Sequence, residues 1–114
     1  MNNMRINKVI FKDKILDDYN IIIDVRTPLE FKEDHLPNST NFPVLTNNQR
    51  HKIGIQYKEN SFLAKKKGAQ IISSNISKII PKINFNKDDS ALIYCWRGGL
   101  RSLSLYLVLK QIGY

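Results

Sequence analysis

Ala91-Leu92-Ile93-Tyr94-Cys95-Trp96-Arg97-Gly98-Gly99-Leu100-Arg101-Ser102-Leu103-Ser104 changes character twice along its length. Ala91 to Tyr94 is a short apolar run that follows the turn-forming Asp88-Asp89-Ser90, which reads as a buried strand. From Arg101 or Ser102 a helix is predicted to run to Gln111, with Gly113 as its C-terminal stop. Its surface is apolar almost all round (Leu103, Leu105, Leu107, Val108, Leu109, Ile112), which predicts packing on more than one side. Cys95 therefore stands just beyond the carboxyl end of a strand, where an open parallel sheet holds its reactive groups.

The loop between strand and helix carries chemistry. Gly98 and Gly99 can take backbone angles closed to other residues. Main-chain N–H groups across Arg97, Gly98, Gly99, Leu100, Arg101 and Ser102 can then converge above a helix start, an arrangement that binds anions. The side chains of Arg97 and Arg101 add positive charge. Such surroundings favour a thiolate over a thiol, and the thiolate is the nucleophile. The same cradle would receive an oxyanion or a departing phosphate. A lone cysteine is more commonly a buried structural residue. That reading gives no reason for two glycines and two arginines before the next helix.

Outward from this loop, strands alternate with helices. Ile21-Ile22-Ile23 running into Asp24 is a continuous β-branched block, as expected of a strand covered on both faces. Thr27-Pro28-Leu29-Glu30 follows, with Thr27 as N-cap, Pro28 at the first helical position and Glu30 completing a capping box. The short helix runs through Asp34 and ends before Pro37. Ser39 to Phe42 is a candidate strand closed by Pro43. Thr46-Asn47-Asn48-Gln49 repeats the capping pattern and opens a helix to about Tyr57. Ser61 is the expected cap of the next helix, whose apolar face is Phe62, Ala69, Ile72, Ile76 and Ile79, ended by Pro81. Val9 to Phe11 is a further candidate strand and Asp13 to Asp18 a weak polar helix. The pattern is an α/β layered domain with a parallel sheet.

The bulk properties narrow the class. A chain of 114 residues, 42% apolar and 25% charged, has room for a single domain with one modest core. No stretch approaches the ~18 apolar residues of a membrane span. Met1 to Lys12 lacks an apolar core followed by a small-residue cleavage site, so no signal peptide is read. One cysteine excludes an internal disulfide and fits a reducing cytosol. With only His35 and His51 besides, no zinc ligand set is present, and no metal is expected. The net charge of +8 favours polyanions such as RNA; a solvated lysine-rich surface explains it equally well.

Two segments together resemble the rhodanese family. Asp24-Val25-Arg26-Thr27-Pro28-Leu29-Glu30-Phe31, His35-Leu36-Pro37 and Asn41-Phe42-Pro43 look like its first signature, with Asn38 where glycine is usual; the cysteine loop is the second. Tyr94-Cys95-Trp96-Arg97-Gly98-Gly99 followed by Arg101-Ser102 narrows the resemblance to the rhodanese domain of the tRNA 2-selenouridine synthase family. Pro43-Val44-Leu45 and the stretch with Gly54, Tyr57, Ala64, Gly68 and Ala69 agree. The resemblance implies a three-layer rhodanese-like fold with a central parallel sheet. It also implies a transferase that replaces sulfur with selenium in 2-thiouridine at the tRNA wobble position, through a geranylated intermediate. Cys95 aligns with that family's essential cysteine and is expected to carry the selenium. Selenophosphate is the expected co-substrate, with no bound cofactor, and tRNA the expected partner, in the cytoplasm and away from membranes.

Around the site the roles divide. Trp96 would shield the selenium from water or pack on the sheet; both readings stand. Asp24, Arg26 and Glu30 are expected to be structural, tying a strand end to a helix start, and His35 a hydrogen-bonded turn residue. Lys65-Lys66-Lys67 reads as a solvated helix face, with contact to tRNA phosphates as the other possibility. The family's C-terminal P-loop domain, which uses geranyl diphosphate, is not found here, since no Gly-x-x-x-x-Gly-Lys-Ser/Thr pattern occurs. Residues 1–114 are expected to form one rhodanese-like domain truncated before its last strand, which would leave neighbouring strands with unpaired groups. The five residues between Cys95 and Arg101 also resemble rhodanese-like cysteine phosphatases, whereas ordinary sulfurtransferases have four. A non-catalytic rhodanese-like binding module is the remaining alternative.

Overall fold

The computed structural model describes residues 18–96 and 99–114. The expected strand at Val9 to Phe11 and, apart from Asp18, the polar helix after it lie outside them, as do Arg97 and Gly98 of the cysteine loop. Among the described residues three parallel strands, β1 (Ile21–Asp24), β2 (Ser39–Asn41) and β3 (Ala91–Tyr94), lie in the order β2-β1-β3. Asp24 at the end of β1 is in register with Asn41 on one side and Tyr94 on the other. Pairing continues past the strand ends, where the Val25 amide donates to Tyr94 O at 3.1 Å and the Phe42 amide to Asp24 O at 2.9 Å. The carboxyl ends of all three strands thus meet at one edge of the domain. Among the described residues β3 has a strand partner on one side only.

Helices fill the crossovers, as parallel strands require. α1 (Pro28–Glu33) carries the full capping box, with Thr27 as N-cap and Glu30 answering it. α2 (Asn47–Glu59) has the same device in Thr46 and Gln49. α3 (Ser61–Ile79) runs into a 3₁₀ turn at Ile80–Lys82, and α4 (Leu100–Ile112) follows the cysteine loop. Asn75 on α3 donates to Val44 O and Gln49 Oε1, at 2.9 and 2.8 Å, which fixes α3 against the start of α2. Asn38 sits at φ 64°, a left-handed conformation that asparagine tolerates and glycine takes freely, which accounts for the departure at that position. Gly113, at φ 121°, ends α4 and donates to Leu109 O and Lys110 O. No helix among the described residues is long and apolar enough to cross a membrane.

The core follows the two-residue period of the strands. Ile23, Val25, Ile93 and Cys95 share a cluster with Ile76 and Ile79 of α3 and Leu105, Tyr106 and Leu109 of α4. Ile22, Leu92 and Tyr94 point to the opposite face, against Tyr19 and Leu36.

Several expectations need correction. The cap of α3 is Asn60, whose side chain accepts from the Leu63 amide; Ser61 is the first helical residue. Either residue type caps well, so chain geometry decided between them. Phe62 and Ala69 are exposed; the N-terminal half of α3 instead buries Ala64 and Gly68, where small residues allow close approach to α2, with Ile53 lying 3.7 Å from Gly68's Cβ position. Helix α4 begins at Leu100, and its buried stripe is Ser102, Leu105, Tyr106 and Leu109. Leu100, Leu107 and Ile112 are exposed, so the described residues pack one side of this helix and not several.

Candidate active site

Directly after β3 the chain turns, and the first turn of α4 comes back over Cys95. The cysteine is 7% exposed. Its thiol donates to the Ser102 hydroxyl oxygen at 3.2 Å, and the sulfur lies 3.6 Å from Gly99 O. The Ser102 hydroxyl in turn donates to Gly99 O at 3.1 Å. Ser102 is 1% exposed, so this chain of hydrogen bonds is shielded from water. Among the described residues no side chain caps α4 at Gly99, and the positive end of the helix dipole lies on the side of the sulfur. Gly99 itself has φ −84° and ψ −170°, extended backbone open to any residue, so the freedom expected of it is not used. A Cβ there would lie 3.8 Å from the Cys95 sulfur, an ordinary van der Waals contact.

The Arg101 guanidinium is placed differently from the expectation. It forms a two-pronged pair with Glu30, at 2.8 and 3.3 Å, and is largely buried. The charge expected to face the sulfur is therefore matched by a carboxylate 71 residues away in sequence. Glu30 also accepts from the Thr27 amide and hydroxyl, at 3.1 and 2.9 Å, and from Arg50 at 3.4 Å. Burial alone would raise the Glu30 carboxyl, but Arg101 and Thr27 together hold it down at about 2. Arg101 is thus a strut that ties the start of α4 to the start of α1.

A second network lies on the opposite face of the sheet. The buried Asp24 carboxylate accepts from the Arg26 amide at 2.8 Å, from Arg26 Nε at 3.1 Å and from Arg26 Nη2 at 2.8 Å. The Tyr94 hydroxyl donates to Asp24 at 2.7 Å and accepts from the Leu36 amide at 3.0 Å. Burial pushes the Tyr94 phenol up, with the Asp24 carboxylate adding to the shift. Asn41 donates to the carbonyls of Asp24 and Arg26, at 3.0 and 2.9 Å. Arg26 reaches on to the Asp34 carbonyl. Through Asp24, Asn41 and Tyr94 the network binds the ends of all three strands. Trp96 is 59% exposed, with its ring 5.6 Å from the Arg26 guanidinium.

The remaining candidates stand apart. His35 is exposed; its Nδ1 lies 2.7 Å from Phe31 O and its ring stacks on Phe31 at 3.7 Å. Lys65, Lys66 and Lys67 are exposed on α3. Tyr94 and Asn41 are the network members that sequence reasoning missed. The signal for Tyr94 was its position as the strand's one polar-tipped residue, in register with Asp24.

Comparison with known proteins agrees with this geometry. The rhodanese-like domain family model matches residues 10–114. A tRNA 2-selenouridine synthase of Psychromonas ingrahamii is 39% identical over 95 residues, covering 81% of this chain and 26% of that protein. A Shewanella pealeana protein of the same name is 33% identical over 118 residues, covering 96% of this chain and 32% of its own length. The chain thus spans roughly a quarter to a third of these relatives. Among solved structures, the N-terminal domain of a Clostridium difficile 630 protein named for ATP/GTP binding superposes with a TM-score of 0.78. It is 34% identical, and the match covers 92% of this chain and 84% of that one.

Proposed function

The chain belongs to the rhodanese-like domain family, and from that premise we propose that it is the rhodanese domain of a tRNA 2-selenouridine synthase. In this reading the Cys95 thiolate attacks the selenium of selenophosphate: an S–Se bond forms, the P–Se bond breaks with its electron pair left on phosphorus, and phosphite departs. The product further on is 2-selenouridine at the wobble position of tRNA. The observation that carries the reading is the placement of the only cysteine: at the carboxyl end of β3, under the start of α4, hydrogen-bonded to the buried Ser102 hydroxyl. The names and identities of the relatives support the substrate.

The chain's own groups suit an ionised sulfur. When the thiol loses its proton, the Ser102 hydroxyl can turn from Gly99 O to the sulfur, 3.2 Å away. A hydroxyl facing a thiolate makes a charge-assisted bond, stronger than the neutral one it replaces. The helix dipole acts in the same direction. Amides at the start of α4 then face the anionic end of selenophosphate. The step that uses geranyl diphosphate belongs to a P-loop domain in the rest of a longer protein, acting in the cytoplasm.

A phosphatase reading loses support from Arg101, whose guanidinium would be wanted on a phosphate oxygen and is engaged by Glu30 instead. The proposal is tested in the longer protein with Cys95→Ser. Loss of 2-selenouridine from tRNA, with the protein folded, is expected; undiminished 2-selenouridine would sink the reading.

A further inference from the structure

Resting on the reading that this site acts on RNA, we propose that Trp96 is the stacking platform for the pyrimidine base presented to Cys95. The neighbouring residues differ sharply: Cys95 is 7% exposed, whereas the largest apolar side chain of the chain stands 59% exposed one residue later. The indole is not left loose. Its ring lies 5.6 Å from the Arg26 guanidinium, close enough for a cation–π contact, and Tyr94 lies at the same distance from that guanidinium.

Arg26 is a rigid support, because its side chain is 5% exposed and Asp24 and Asp34 both hold it. Its charge is matched by the Asp24 carboxylate 2.8 Å away, so it fixes the indole and does not itself offer a phosphate site. What remains presented at this edge is an aromatic surface one residue after the reacting cysteine. Single-stranded RNA is read by splaying its bases onto aromatic side chains, with phosphates held by general positive charge. The chain supplies that charge at +8. Trp96 supplies the base contact, and with it a preference for an unpaired nucleotide over a paired one.

Trp96 is the only tryptophan in the chain, so intrinsic fluorescence reports on it alone. The 114-residue chain is titrated with a single-stranded RNA of anticodon-loop length containing 2-thiouridine, and separately with polyphosphate, which has charge and no bases. Quenching by the RNA and none by polyphosphate is expected. Labelled-RNA anisotropy should show roughly tenfold weaker binding for Trp96→Leu and near-normal binding for Trp96→Phe, the aromatic replacement. Absence of quenching by RNA, equal quenching by polyphosphate, or unchanged RNA affinity in Trp96→Leu would overturn the assignment. Selenium loading of Cys95 is measured in parallel. Loading without RNA quenching refutes the platform and leaves the role of Cys95 standing; quenching without loading does the reverse.

Discussion

The Cys95 sulfur and the Ser102 hydroxyl lie 3.2 Å apart, and both are buried. They are seven residues apart in sequence, joined by a loop and the first turn of α4. The arrangement joins an ionisable group to a hydroxyl that has, among the described residues, the sulfur and Gly99 O within reach.

Removing that hydroxyl should therefore act on the thiolate. Ser102→Ala is expected to slow alkylation of Cys95 by iodoacetamide at neutral pH by about tenfold, the size of one hydrogen bond to a charged group. Above the pH at which the thiol is fully ionised in both proteins, the two rates should converge. A rate unchanged across the whole pH profile would mean that the hydroxyl serves packing alone.

The Glu30–Arg101 strut makes a prediction about acid. In the folded chain the Glu30 carboxyl ionises at about 2, against an ordinary value of 4.5. The folded state thus holds this proton less tightly than the unfolded state, so the pairing stabilises the fold at pH values above 4.5. That contribution is lost as pH falls from about 4.5 towards about 2. Glu30→Gln should be less stable than the wild type at pH 7, and the difference should shrink through this window in urea titrations. A difference independent of pH would contradict the ion-pair account.

Asp24 and Arg26 form a buried pair, so cutting one partner strands the other. Asp24→Ala is expected to destabilise the fold by about 3–5 kcal/mol, as for other buried pairs, because Arg26 stays charged without its carboxylate. Thermal unfolding checks this. Trp96 fluorescence should also change in Asp24→Ala even below the melting transition, since the indole rests on Arg26.

These sites differ in how far the sequence alone reveals them, and the reason is range. Capping boxes at Thr27/Glu30 and Thr46/Gln49 close within four residues, so residue type and spacing suffice. The strands around Ile23 and Ile93 follow from their apolar runs. The cysteine's place at a strand end follows from order along the chain. Arg101 misled because its nearest notable neighbour in sequence is Cys95, whereas its partner in space is Glu30, across the sheet's crossovers. Tyr94 was hidden for the same reason: Asp24, its acceptor, is 70 residues earlier. Leu107 and Ile112 read as buried from hydropathy, yet hydropathy does not say which face of α4 finds a neighbour.

The most direct test of the account is the mass of the protein after incubation with selenophosphate. One selenium atom on Cys95, absent from Cys95→Ser and recovered on the peptide that contains Tyr94-Cys95-Trp96, is the predicted result. A folded protein whose Cys95 gains no selenium and resists alkylation at neutral pH would contradict it.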